Sequence, residues 1–300
     1  MLDSRLLHYA HEHHIEGLTT QSLLALSKGQ KGYSFNKAKH FLKFQKRINQ
    51  ELLKHRIISS NPYTAWFEHG DQNLPQIRAF VVQFSVFSNQ FLIAQLNKMI
   101  RADTLESMRA SKEILANEIG VRFQSVHPKG HGDSLGSTEG SVEGGVFHFG
   151  AGHFEWLYHL ALKLGLSFTD IGQPKHGTQS SLFFCNELIR LYGGDDYQVS
   201  QAASYAVENW AAAGFWGQLI KGFNLFNLRN GFDLPLGFFV WHDQLECQHA
   251  AHTQEELEEL YFTLELDEDC FIRHGNEMLD GVAAFWDGLD MQRQELEYVS

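Results

Sequence analysis

The sequence predicts an all-helical bundle, and three observations carry that expectation. Apolar residues recur at spacings of three and four along most of the chain, strand-like alternation is nearly absent, and only 5 prolines interrupt 300 residues. With 43% hydrophobic and 13% aromatic residues, the chain has ample apolar surface for a packed core and is too apolar for ordinary disorder.

Residues 1–60 read as two or three helices forming an N-terminal extension. Lys39, Lys43, Lys46 and Arg47 give it a basic, solvated face. Asn61-Pro62-Tyr63 punctuates the chain, since a residue before proline avoids the helical region. It opens the main helical domain, residues 61–290. Leu74–Ile100 is a long helix whose Phe80, Phe84, Phe87 and Phe91 share one buried face. A further helix is expected over residues 103–119, with Asp103 as N-cap and Gly120 as C-cap. Residues 121–152 form a glycine-rich insert containing His127, His131 and His148, a long loop of the kind that serves as a mobile flap over a functional site. No phosphate-cradling Gly-Lys-Ser/Thr run occurs in it. Helices resume over residues 153–165, 179–192, 199–223, 236–252, 254–264 and 269–288, and residues 291–300 read as a fraying tail.

The formal charge of −12, from 36 acidic and 24 basic residues, argues against nucleic acid and anionic membrane surfaces as partners. No uninterrupted apolar run reaches the roughly 18 residues expected of a bilayer span. Residues 1–14 mix charge and histidine and lack the apolar centre of a signal peptide. Cys185, Cys247 and Cys270 are few, odd in number and far apart, as expected of reduced thiols in a soluble cytoplasmic protein.

Chemistry concentrates in residues 236–252. At 100° per residue, His242, Glu246 and His249 lie at about 0°, 40° and −20°, one arc that also holds Phe238 and lies near Leu245. Burying two imidazoles and a carboxylate without partners costs several kcal/mol. A divalent metal satisfies all three, and mixed N/O ligands suit Fe, Mn or Zn. The bland alternative is a polar helix end with Asp243 facing solvent. Other helices bring matching residues. Glu208 interrupts an apolar stripe that includes Ala202, Tyr205 and Leu219. Glu118 continues the stripe Met108, Ser111, Leu115, and His153 opens the stripe Leu157, Leu160, Leu164. Each alone is more often a hydrogen-bonded core residue. Together they form the type of ligand set that facing helices of a bundle present to two metals. Trp210, Phe215, Trp216, Phe238 and Trp241 would wall the pocket, unless they are plain core.

The ordered set resembles the haem-oxygenase-like di-iron oxidases and oxygenases, the group that includes the chlamydial death-domain-associating protein. That group's pattern is a glutamate ending one helix, a histidine opening the next, a mid-bundle glutamate, then His-x3-Asp-x2-His. Here the matches are Ala-Asn-Glu118-Ile-Gly, His153-Phe-Glu-Trp-Leu, Ala-Val-Glu208-Asn and His242-x3-Glu246-x2-His249-Ala. The resemblance spans about residues 55–290 and implies a haem-oxygenase-like helical bundle with extra N-terminal helices. It also implies two Fe2+ ions, or Mn2+, held by Glu118, His153, Glu208, His242, Glu246 and His249. O2 and a small amino acid, amine or fatty acid would be the reactants, and a homodimer stays open. Two departures stand out. Glu246 replaces the usual Asp, and the glycine-rich insert separates Glu118 from His153 where relatives have a short turn. Glu143 within the insert could add a ligand, whereas Glu155 and His159 should point outward, about 160° and 120° from the seam of His153. The alternatives are a metal-free enzyme on the same fold, thiaminase-like or a cofactor-free oxidase, and a non-catalytic interaction protein stabilised by metal.

Overall fold

The computed structural model describes residues 4–122, 138–142 and 145–298, with backbone only for residues 4, 106, 122, 138–142, 145–149, 245–252 and 298. Four helices come first: α1 (Ser4–His13), α2 (Thr20–Ser27), α3 (Phe35–Arg47), prolonged by a π-helical turn at Ile48–Leu52, and α4 (Arg56–Ser59). Their apolar residues, among them Phe41, Phe44, Ile48 and Leu52, join the same hydrophobic cluster as the rest of the chain. A fully buried carboxylate fastens them to it: Glu258 accepts from the backbone N–H of Thr19 at 2.9 Å and from its hydroxyl at 2.7 Å.

Asn61 accepts from the Thr64 amide and starts α5 (Pro62–Phe67), so the Asn-Pro signal opens a helix. Next comes α6 (Leu74–Ile100), whose first turn is closed by reciprocal bonds between Asn73 and Gln76, both at 2.9 Å. The following helix, α7 (Leu105–Glu118), is capped by Thr104 rather than Asp103, because the Thr104 hydroxyl takes the Ser107 amide at 3.0 Å. Met108, expected inward, is exposed on α7, while Ser111 is buried.

Three short strands interrupt the helices, where the sequence suggested only loop. They are β1 (Val121–Arg122), β2 (Thr138–Val142) and β3 (Gly145–Phe149), in an antiparallel sheet of order β1-β3-β2. Alternation in so glycine-rich a stretch was too weak to register. Residues 123–137 and 143–144, including His127, His131 and Glu143, lie outside the described residues, as does any lid role for them.

The remaining helices are α8 (His153–Lys163), α9 (Gln179–Glu187) with a π-helical turn at Leu188–Tyr192, α10 (Tyr197–Ala211), α11 (Phe215–Asn230), α12 (Gly237–Thr263) and α13 (Glu268–Glu295). Three boundaries differ from the sequence expectation. The helix expected over 199–223 breaks after Ala211, where Gly214 at φ +90° turns the chain between α10 and α11. The two expected over 236–264 are one, with Thr253 buried inside it. The last helix continues to Glu295, its end held by Arg293 and Gln294 bonding to Asp290 at 2.7 and 2.8 Å.

Packing centres on α13, which lies against α9, α10 and α6. Between them runs an aromatic column: Phe84 sits 5.2 Å from Phe80, 5.8 Å from Phe238 and 5.9 Å from Trp216. Among the described residues α6 alone has the length and apolarity of a membrane span. Its apolar window is 56% buried inside the fold, as a core helix's would be.

Candidate metal centre

Four helices meet at one end of a cavity of about 330 Å³. Glu118 ends α7, His153 begins α8 and His242 lies in the second turn of α12. One donor atom from each falls within 4.8 Å of the others. Glu208, on α10, lines the same cavity but is not part of that trio. Glu246 and His249 follow His242 by four and seven residues in the same unbroken helix, and their side chains lie outside the described residues.

Geometry and electrostatics both suit a cation. His153 Nδ1 lies 3.0 Å from Glu118 Oε2, with side chains only 5% and 13% exposed. That approach lacks hydrogen-bond geometry and leaves Nδ1 a buried nitrogen without a hydrogen-bond partner. The two groups face each other at ion-pair distance, and the imidazole nitrogen can accept a third body in place of a proton. The Glu118 carboxylate also sits at the negative end of α7, an unfavourable place for an anion that a bound cation offsets.

His242 is oriented from behind. Its Nδ1–H donates to the Phe238 carbonyl at 2.7 Å, which fixes the tautomer with the lone pair on Nε2. Trp216 stacks on the ring at 4.8 Å and 25°, and His153 meets it edge-on at 4.7 Å. Phe87, Phe91, Val207, Trp210, Trp216 and Phe238 provide apolar walls. Two expected wall residues do not reach the cavity. Phe215 is buried behind Trp210, stacked on it at 4.9 Å, and Trp241 is 37% exposed against Trp156. Ring content alone could not say which side of each stack faces the void. Glu155 is exposed, as expected, and accepts from the Gly152 amide, whereas His159 is half-buried instead of facing outward.

The insert does not separate Glu118 and His153, the two candidate ligands that flank it. Gly150 N–H donates to Gly120 O at 2.7 Å, and Val121 pairs with Phe149, so the excursion closes on itself at its base. That neck has no room for side chains. Gly120 has φ +71° and packs on the Gly150 carbonyl, and a Cβ at Gly152 would lie 2.8 Å from the Glu118 carbonyl oxygen. The end of α7 and the start of α8 thus touch as if joined by a tight turn.

Several residues of the cavity had no place in the sequence reading, among them Lys98, Ser204, Thr253 and Glu256. Lys98 follows Phe91 by seven residues on the same face of α6, a basic residue in an otherwise apolar seam, and that was the available signal.

No protein-family model matches the chain, and no curated protein matches it in sequence. Solved structures do. A domain of unknown function with a haem-oxygenase-like fold from Shewanella denitrificans superposes with a TM-score of 0.56 at 13% identity, covering 87% of this chain and 95% of that one. A CADD-like protein of unknown function from Nostoc punctiforme gives 0.55 at 16% identity, over 87% and 99%. A TenA homolog from Pseudomonas syringae pv. tomato gives 0.52 at 10% identity, over 85% and 93%. The chain therefore has a haem-oxygenase-like, all-helical fold, here with a small three-stranded insert.

Proposed function

We propose that the chain is a non-haem di-iron enzyme that activates O2 to oxidise a small organic substrate. The observation that carries this reading is the trio of Glu118, His153 and His242, metal-ligating types converging at a cavity end around a buried, unbonded imidazole nitrogen. Two imidazoles and one carboxylate form a donor set that suits Fe(II). Glu208, Glu246 and His249 would complete a second position, following the resemblance read in the sequence. The CADD-like neighbour, a protein of unknown function, shares the fold alone.

Iron bound there would supply the electrons that reduce O2 and the oxidising power directed at the substrate. The chain's own residues do the rest. Phe238 fixes the tautomer of His242, and Trp216 fixes its plane. The aromatic walls keep bulk water from the centre and strengthen every electrostatic contact inside it. The neck at Gly120 and Gly152 holds Glu118 and His153 in register.

The test is anaerobic loading with Fe(II), measurement of bound iron, and oxygen uptake on mixing with O2 and a panel of amino acids, amines and fatty acids. About two irons per chain and substrate-dependent uptake are expected. Iron content at background after loading would overturn the reading.

A further inference from the structure

The cavity has a second, polar end that the metal chemistry does not use. Lys98 on α6, Ser204 on α10, and Thr253 and Glu256 on α12 all line it. The helices set the distance between the two ends. Ser204 lies four residues before Glu208 on α10, so at 1.5 Å per residue the polar end stands about 6 Å along that helix from the nearest residue of the candidate metal set.

Lys98 is built into this end. Its ammonium donates to Ser204 Oγ at 2.6 Å and rests 4.6 Å from the centroid of the Tyr192 ring. Tyr192 is itself buried, its hydroxyl donating to Gln95 Oε1 at 2.6 Å. Lys98 is half-buried and held on both sides, unlike a fully solvated surface lysine. Among the described residues no carboxylate comes within ion-pair distance of Nζ, although an ammonium has three donors to satisfy. Burial pulls its protonation below the ordinary lysine value, with Glu256 and then Glu208 opposing that shift. Nothing in the fold requires a cation here, and removing one from water is costly unless an anion joins it.

The two charges of this end make a pair of opposite sign, Lys98 with Glu256, set beside an aromatic void. Volume limits the occupant: at about 30 Å³ per water-sized group, a void of about 330 Å³ holds on the order of ten non-hydrogen atoms. Trp210 and Trp216 narrow it with flat, apolar faces.

We propose that Lys98, Ser204 and Glu256 form a subsite for the zwitterionic head of an α-amino acid with an apolar side chain. The carboxylate pairs with the Lys98 ammonium and the Ser204 hydroxyl. The amino group pairs with Glu256, and the side chain extends between the aromatic walls toward His153 and His242. This deepens the proposed function by naming its substrate class and rests on that reading for the reaction, although binding itself needs no metal.

The experiment is calorimetric titration of the full-length, metal-free protein with three probes: L-phenylalanine, 3-phenylpropanoate, which lacks the amine, and 2-phenylethylamine, which lacks the carboxylate. Phenylalanine is expected to bind at least tenfold more tightly than either analogue, since each lost charged hydrogen bond is worth about tenfold or more. Lys98→Met should erase the advantage over phenylethylamine, and Glu256→Gln the advantage over phenylpropanoate. Ser204→Ala, which leaves Lys98 in place, should weaken phenylalanine and phenylpropanoate together. Lys98→Arg, which keeps the charge, should retain binding that Lys98→Met loses. Failure of all three probes to bind, equal affinity for all three, or unchanged affinity in both Lys98→Met and Ser204→Ala would overturn the proposal. Iron loading measured on the same protein separates the two readings: iron without phenylalanine binding ends the subsite alone, and phenylalanine binding without iron ends the metal reading alone.

Discussion

Adding a single methyl group at Gly152 should damage the metal centre more than the fold. In Gly152→Ala the new Cβ meets the Glu118 carbonyl oxygen at 2.8 Å and two Ile119 backbone atoms at 3.3 Å. All three are backbone atoms at the end of α7, so no side chain can rotate away. Restoring ordinary contact, at about 3.4 Å, requires α7 and α8 to part by about 0.6 Å. Overpacking of this size costs about 1–3 kcal/mol, a fall of several degrees in Tm for a chain of this length. Ligand geometry is far less tolerant, because metal–ligand distances hold to about 0.2 Å. His153 follows Gly152 directly and moves with it, away from Glu118. The expected result is a folded protein whose Fe(II) affinity falls tenfold or more, measured as iron retained after anaerobic gel filtration across a loading series. Gly217→Ala is the control, since its Cβ meets nothing closer than 4.0 Å and alanine favours the interior of α11. Iron retention in Gly152→Ala equal to wild type, or equal losses in both variants, would refute the idea that the neck sets the ligand geometry.

Three further outcomes are expected. His242→Ala should lose iron while its helical circular dichroism persists, because alanine is the best helix former; undiminished iron would remove His242 from the site. Lys98→Met should stabilise the protein at neutral pH. With the lysine held below its ordinary 10.5, the unfolded chain binds more protons in the window beneath that value, so wild-type stability rises with pH there. Denaturant titrations from pH 7 to 10 should show that rise in wild type and a flatter profile in the variant. Glu258→Ala strands the Thr19 N–H and hydroxyl, at about 1–3 kcal/mol for each unsatisfied donor. Its Tm should fall clearly, and early proteolytic cuts should appear near residues 15–30.

Local rules explain what the sequence could and could not reveal. Leu74–Ile100 was legible end to end because its phenylalanines keep one face and Asn73-Leu74-Pro75 marks its start. The break at Gly214 was hidden because apolar residues continue in step on both sides of it. Thr253 looked like a boundary, yet it lies inside one helix, where burial outweighs weak propensity. At the site, Glu118, His153 and His242 were recoverable as polar residues in apolar seams. Phe215 and Trp241 were misplaced because periodicity assigns a helix face but not the order of rings within a stack. Lys98 was overlooked for the opposite reason, since a lysine near a helix end ordinarily reads as solvated.

The pinched base of the glycine-rich insert makes the distance between Glu118 and His153 independent of the number of residues between them. Glu118 and His153 are neighbours in space because the chain returns to its point of departure, whatever it does in the interval. Lengthening a closed loop costs only about 0.6 kcal/mol per doubling. The junction at Gly120 and Gly150 is therefore a port. Segments there can be trimmed, exchanged or replaced by a foreign module, such as a reporter or a tether, while the chemistry a few ångströms away keeps its coordinates.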